Sequence, residues 1–74
     1  MIDILITSEY IKLDQFLKLA NIIGAGGEAR FFIDENNISV NDEPENRRGK
    51  KLRNGDIIKV NNEKYRILKN GETK

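Results

Sequence analysis

The sequence predicts a small α+β domain in which two angled helices pack on a small curled antiparallel sheet, with an extra N-terminal strand. Three patterns support this fold class. A short β-branched run opens the chain, apolar residues then recur at helical spacing, and apolar and polar residues alternate through the second half. The 74 residues suffice for one domain, which we expect over residues 1–70, with a frayed tail at 71–74.

The first two predicted elements are a strand and a helix. Ile2–Ile6 is apolar at four of five positions and rich in isoleucine, which favours a strand. Asp14 suits the first turn of the following helix because a carboxylate there favours the helix dipole, and Asn21 and Gly24 are candidate terminators. The apolar stripe of this helix consists of Leu13, Phe16, Leu17 and Ala20.

A second, shorter helix is predicted to begin within residues 26–30 and to end at Asn36-Asn37. Its stripe consists of Ala29, Phe32 and Ile33. Because Phe16 and Phe32 lie on the two apolar stripes, we expect both rings in the core. Antiparallel strands then alternate around Ser39, Lys59 and Arg66, with turns at 41–44, 54–56 and 61–62.

Charge is divided unevenly along the chain. The net charge is +1, yet residues 1–46 carry −6 and residues 47–74 carry +7. We call residues 47–53 the basic loop, because five of its seven residues are cationic: Arg47, Arg48, Lys50, Lys51 and Arg53. Such a run attracts phosphates and gains affinity by releasing counterions, which indicates a polyanionic partner. The alternative is a solvated loop without a partner.

The absence of cysteine and histidine removes several kinds of chemistry. Disulfides cannot form, and the commonest metal ligands and the commonest general base are missing. We therefore expect no enzyme activity, cofactor, metal or small-molecule substrate. The opening apolar run is too short for a signal peptide or a membrane span, so we expect a cytoplasmic protein that does not contact a membrane.

Three features near the second helix are candidates for binding, each with an alternative. Arg30 lies off the apolar stripe and could grip a phosphate or stack on a base, or instead pair with Asp34. The Gly26-Gly27 amides could bind an anion, although we favour a tight inter-helix turn as the reason for these glycines. Phe31 could stack on an unpaired base, but we favour packing under a neighbouring element near Tyr10.

Four short motifs occur one after another along the chain: residues 12–17 (KLDQFL), 27–33 (GEARFFI), 38–41 (ISVN) and 55–60 (GDIIKV). Together they resemble the S-four RNA-binding domain, a family named from a small-subunit ribosomal protein. The resemblance covers about residues 12–60, and Asp42 stands where the family usually has glycine. The short length and the leading strand are similar to those of the stand-alone YaaA-like members.

The resemblance implies an alpha-L motif, in which a steeply angled helix pair on a small antiparallel sheet binds RNA. Carried over by position, the RNA-contacting residues are Lys12, Gln15, Gly26, Gly27, Arg30 and Asn41, and the basic loop is added from its charge. We expect a non-catalytic protein that recognises structured RNA, with ribosomal RNA or transfer RNA as leading targets. The alternative is a small protein-interaction adaptor, associated with the ribosome or with replication, whose acidic half docks a basic partner.

Overall fold

In the computed structural model, which describes residues 1–69, two short helices lie between an N-terminal strand and a series of later strands. The helices are α1 (Leu13–Leu19) and α2 (Ala29–Glu35), with a 3-10 turn at Gly26–Glu28 before α2. The strands are β1 (Ile2–Ile6), β2 (Ile11–Lys12), β3 (Ile38–Val40), β4 (Glu43–Pro44), β5 (Lys51–Leu52), β6 (Ile57–Val60) and β7 (Glu63–Lys69). The tail predicted at 71–74 lies outside the described residues, and the extent of the domain stays a prediction.

The α+β class and the extra N-terminal strand are confirmed, and the main sheet is mixed. Its strand order is β1-β7-β6-β3-β4, with β1 parallel to β7 and the other pairs antiparallel. The parallel pairing is possible because most of the chain connects β1 to β7, which is ample for a crossover. A separate two-stranded ladder joins β2 to β5, and strands of two residues are too short to show alternation in the sequence.

The end of α1 is set by Asn21, as predicted. Its φ of 64° lies in the left-handed region, which asparagine tolerates better than most residues. The Asn21 amide donates to the Lys18 carbonyl at 3.0 Å, and the Ile22 amide donates to the Leu17 carbonyl at 2.9 Å. These two bonds form a Schellman motif with asparagine in place of the usual glycine.

The turn predicted at residues 41–44 is shorter than expected. Val40 pairs with Glu43, so the turn is Asn41-Asp42 alone, with φ values of 51° and 72°. Two successive positive φ values define the type I′ turn that matches the twist of a tight hairpin. Asp42 thus adopts the left-handed backbone that glycine would adopt more easily, and Glu43 begins β4 instead of extending the turn.

The core lies between the helices and one face of the main sheet. Phe16 is fully buried and meets Tyr65 of β7 edge to face, with ring centroids 5.4 Å apart. Phe16 is therefore a core residue, as predicted. Phe32 is only partly buried and packs against the edge of the core, whereas Ala29 and Ile33 carry the buried stripe of α2.

Candidate nucleic-acid interface

The basic loop is attached to the start of α1 through its backbone. The amides of Leu13 and Asp14 donate to the carbonyls of Lys50 and Arg48, at 2.8 and 3.0 Å. The first amides of a helix have no partner within the helix, and here loop carbonyls fill the place of a capping side chain. The loop therefore holds a defined position beside α1, although its cationic side chains remain available for other contacts.

The loop side chains surround a shallow depression of about 460 Å³. Arg47, Lys50, Lys51 and Arg53 line it together with Gly49. A Cβ at Gly49 would meet no atom within 4 Å, so the floor of this depression is open to solvent. The depression can receive an anionic group among several cations.

Lys12 joins the basic loop through the β2–β5 ladder. Lys12 lies directly opposite Lys51 in this antiparallel pair, and both side chains are exposed. Like charges in directly opposed positions reduce stability, and a bound anion would relieve that cost. The Gln15 side-chain oxygen accepts a hydrogen bond from the Lys12 amide at a long 3.5 Å. Lys12 and Gln15, both implied as RNA contacts by the family resemblance, therefore lie beside the loop.

Tyr10 holds two cations of the loop region. The Lys51 Nζ lies 5.0 Å from the centre of the Tyr10 ring, and the Arg53 Cζ lies 5.4 Å from it. Both distances suit cation–π contacts, which restrict the two side chains without neutralising their charge. Tyr10 cannot be assigned to this region from the sequence, because these contacts depend on the β2–β5 pairing.

Arg47 differs from the other loop cations because it is already paired. Its guanidinium donates to both oxygens of Glu45, at 2.9 and 3.2 Å, and its amide donates to the same carboxylate at 3.0 Å. The Arg47 side chain is 71% exposed and that of Glu45 only 9%. The hydrogen bonds from Arg47 lower the pKa of the Glu45 carboxyl, so this carboxylate offsets part of the Arg47 charge.

The candidate residues at the start of α2 lie at the surface. Gly26 and Gly27 have no positive φ, and a Cβ at either position would meet nothing within 4 Å. The backbone conformation therefore does not require glycine there, contrary to the tight-turn explanation. Arg30 is exposed and, within residues 1–69, makes no ion pair with Asp34 or any other carboxylate.

The interpretation of Phe31 as a packed residue is wrong. Its side chain is 75% exposed, and Tyr10, its expected neighbour, contacts loop cations instead. Phe31 lies off the α2 stripe, and the described part of the chain supplies no element to cover it. This surface therefore carries an exposed ring next to an arginine that has no partner in the described part of the chain.

The Asn41 side chain makes hydrogen bonds that stabilise the protein's own fold. Its side-chain nitrogen donates to Asp56 Oδ1 at 3.1 Å, and its side-chain oxygen accepts the Ile57 amide at 3.0 Å. Asp56 Oδ2 in turn accepts the Arg53 amide at 2.8 Å. Asn41 thus ties the β3–β4 turn to the end of the basic loop, and its contact with RNA stays a prediction.

The structure places all the candidate residues except Asn41 in two groups, one at the start of each helix. Lys12, Gln15 and the basic loop lie at the start of α1, while Gly26, Gly27 and Arg30 lie at the start of α2, and α1 contacts both α2 and the preceding 3-10 turn. Within residues 1–69, no helix is long and apolar enough to cross a membrane. Over the same residues, no three acidic side chains converge as metal ligands would.

Two helices that contact each other and pack beside a small mixed sheet form the α+β architecture that the resemblance implies for an S-four domain. Residues 4–68 match the S4 (S-four) domain, and the chain belongs to this RNA-binding family, as its motifs predicted. Over 55 residues it is 53% identical to the probable ribosome maturation protein RlbA of Bacillus subtilis (strain 168), a span covering 74% of this chain and 78% of that protein. No solved structure matches the chain with significance.

Proposed function

We propose that this protein binds structured ribosomal RNA, without catalysing a reaction on it, and acts in ribosome maturation. The S4 family supports RNA binding, and the name of the Bacillus subtilis relative supports the ribosome as its setting. Transfer RNA is the second target to test. The cytoplasm is the compartment that this function requires.

The observation that carries the proposal is the attachment of the basic loop to α1. Two backbone hydrogen bonds hold the loop carbonyls, and Tyr10 restrains two of the cationic side chains. Groups ordered before binding lose less conformational entropy when the RNA arrives, so the same phosphate contacts give a higher affinity. In this proposal the loop provides most of the affinity, and the helix pair recognises the shape of the RNA.

Arg30 tests the role of the helix pair. Arginine offers a planar fork that grips a phosphate or lies on a base, whereas lysine offers a point charge. We expect Arg30→Ala to weaken binding to ribosomal RNA by about 1–3 kcal/mol, and Arg30→Lys to weaken it less. Both variants should keep the parent's thermal stability, because Arg30 is exposed and unpaired within the described residues.

The measurement is a titration of each variant against ribosomal RNA fragments, transfer RNA and a scrambled RNA at fixed salt. Lys59→Ala is the matched control, because it also removes one exposed cation, here from β6, and Lys59 has no partner within residues 1–69. Binding by Arg30→Ala as tight as that of the parent would remove Arg30 from the interface. Equal affinity of the parent for ribosomal and scrambled RNA would refute the proposed target.

Gly27 offers an independent test of close RNA approach. Alanine fits at position 27 without a clash or a forbidden φ, so Gly27→Ala should leave the fold intact or stabilise it by about 0.4–1 kcal/mol. If an RNA backbone packs against this turn, the added methyl group displaces it and lowers the affinity. A Gly27→Ala variant that is stable and binds normally would show that RNA does not reach the turn.

A further inference from the structure

Phe31 borders a groove beside α2 that the contacts proposed so far leave empty. The groove has a volume of about 800 Å³, and its apolar wall comes from Ile22, Ile23 and Phe32. We call it the α2 groove. The Phe31 ring is 75% exposed and extends the apolar surface of the groove, which makes a contiguous apolar patch available to a binding partner.

Three carboxylates and one guanidinium also line the α2 groove: Glu28, Asp34, Glu35 and Arg30. The Glu28 carboxylate accepts the Gly24 amide at 3.1 Å, whereas the carboxylates of Asp34 and Glu35 have no hydrogen bond or ion pair within residues 1–69. Asp34 and Glu35 repel phosphates, so an RNA backbone is excluded from their end of the groove and is limited to the end formed by Gly27 and Arg30. An uncharged base can enter it, and an exocyclic amine on the base can donate to a carboxylate.

Resting on the proposed function, we infer that the α2 groove receives one unpaired RNA base, which stacks on Phe31 while Arg30 holds the adjoining phosphate. The groove is continuous with the proposed interface, because Gly27 and Arg30 belong to both. Its volume falls within the range of sites that bind small organic groups. A ring presents the same face to any base, and the carboxylates add a preference for bases that carry an amine.

The probe is a fluorescently labelled RNA hairpin whose stem carries one bulged guanosine. Two matched hairpins have a fully paired stem or a bulged uridine, which lacks an exocyclic amine. All three are titrated by fluorescence anisotropy at low salt, where the basic loop provides binding to any RNA. In a fourth hairpin, 2-aminopurine replaces the bulged base and reports stacking through loss of its fluorescence.

We expect the parent to bind the bulged guanosine about 5- to 150-fold more tightly than the paired stem, from one aromatic stacking contact. Phe31→Ala should abolish this preference and the 2-aminopurine signal, yet keep the affinity for the paired stem. Phe31→Trp should restore both, because its ring also stacks. The unfolding temperature of Phe31→Ala should match that of the parent, since the ring is exposed.

Four other outcomes would contradict the base site, the amine contact or RNA binding itself. Equal binding of the bulged and paired hairpins by the parent overturns the base site. A Phe31→Ala variant that keeps the parent's preference also overturns it, because the bulged base would then be recognised elsewhere. Equal binding of bulged guanosine and uridine overturns the amine contact. Failure to bind any hairpin refutes the proposed RNA-binding function itself, which distinguishes that failure from the loss of the base site alone.

Discussion

The sharpest test of the interface compares two pairs of lysines, one in the basic loop and one on the main sheet. Lys50 and Lys51 belong to the basic loop. Lys59 and Lys64 lie directly opposite each other on β6 and β7, and both are exposed. Lys59 stands between the buried Ile58 and Val60, so it faces away from the core. Replacing either pair with alanine removes two positive charges, so the two double variants have the same net charge.

The expected effect follows from counterion release. Each phosphate contact contributes about 0.7–0.9 to the slope of log affinity against log salt, so losing two contacts should reduce the slope by about 1.4–1.8. The ratio of the parent's affinity to the variant's affinity should therefore fall by about 7- to 12-fold when the salt is raised from 50 to 200 mM. The Lys59 and Lys64 variant should keep the parent's slope. The fold should survive in the loop variant, because Lys50 holds α1 through its carbonyl, which alanine keeps.

The assay is an RNA titration at several salt concentrations, with circular dichroism as the check on folding. An unchanged slope in the Lys50 and Lys51 variant would take the loop out of the interface. Equal losses in both variants would show that RNA responds to net charge alone and not to a local site. Adding Arg48→Ala should remove about one further contact, whereas Arg47→Ala should remove less, because Glu45 already offsets the Arg47 charge.

Three further predictions concern stability. Phe16→Ala should lower the free energy of unfolding by about 3–5 kcal/mol, measured by urea titration, because the ring is fully buried; a loss below that of the exposed Phe31→Ala would contradict the packing. Asp42→Gly should raise the free energy of unfolding by about 0.5–1 kcal/mol, because it relieves a left-handed backbone; a lower unfolding temperature would refute the turn geometry. Because folding lowers the pKa of Glu45 from its usual 4.5, its contribution is present above pH 4.5 and is lost as the pH falls through the lowered value. Arg47→Ala should reduce this acid sensitivity in pH-dependent unfolding, and an unchanged profile would assign it to other carboxyl groups.

The features that could be predicted from sequence are those fixed by neighbours along the chain. The stripe through Phe16 and the helix end at Asn21 follow from helical spacing and from the φ preference of asparagine. The hairpin after Val60 likewise follows from two asparagines, of which Asn61 has a φ of 55°. Such signals lie within a few residues of the feature that they determine.

The features that were missed depend on residues far apart in sequence. Pairing of Lys12 with Lys51 needs two strands of two residues, which leave no periodic signal. The exposure of Phe31 could not be predicted either, because an off-stripe position says nothing about whether another element covers it. In the same way, no sequence motif indicates that the Glu45 carboxylate accepts three hydrogen bonds from Arg47.

The parallel pairing of β1 with β7 bears on how the chain folds as it is made. The Asp3 carboxylate accepts two hydrogen bonds from Arg66, 63 positions later, at 3.1 and 3.2 Å. At the usual 5–20 residues per second, β1 waits about 3–13 seconds during translation before its partner strand exists. Once β1 has left the ribosome, its isoleucines and both of its edges are open to other chains until β7 follows. A nascent chain stalled before β7 should therefore aggregate or recruit a chaperone, whereas the two helices, whose contacts are local, can already form.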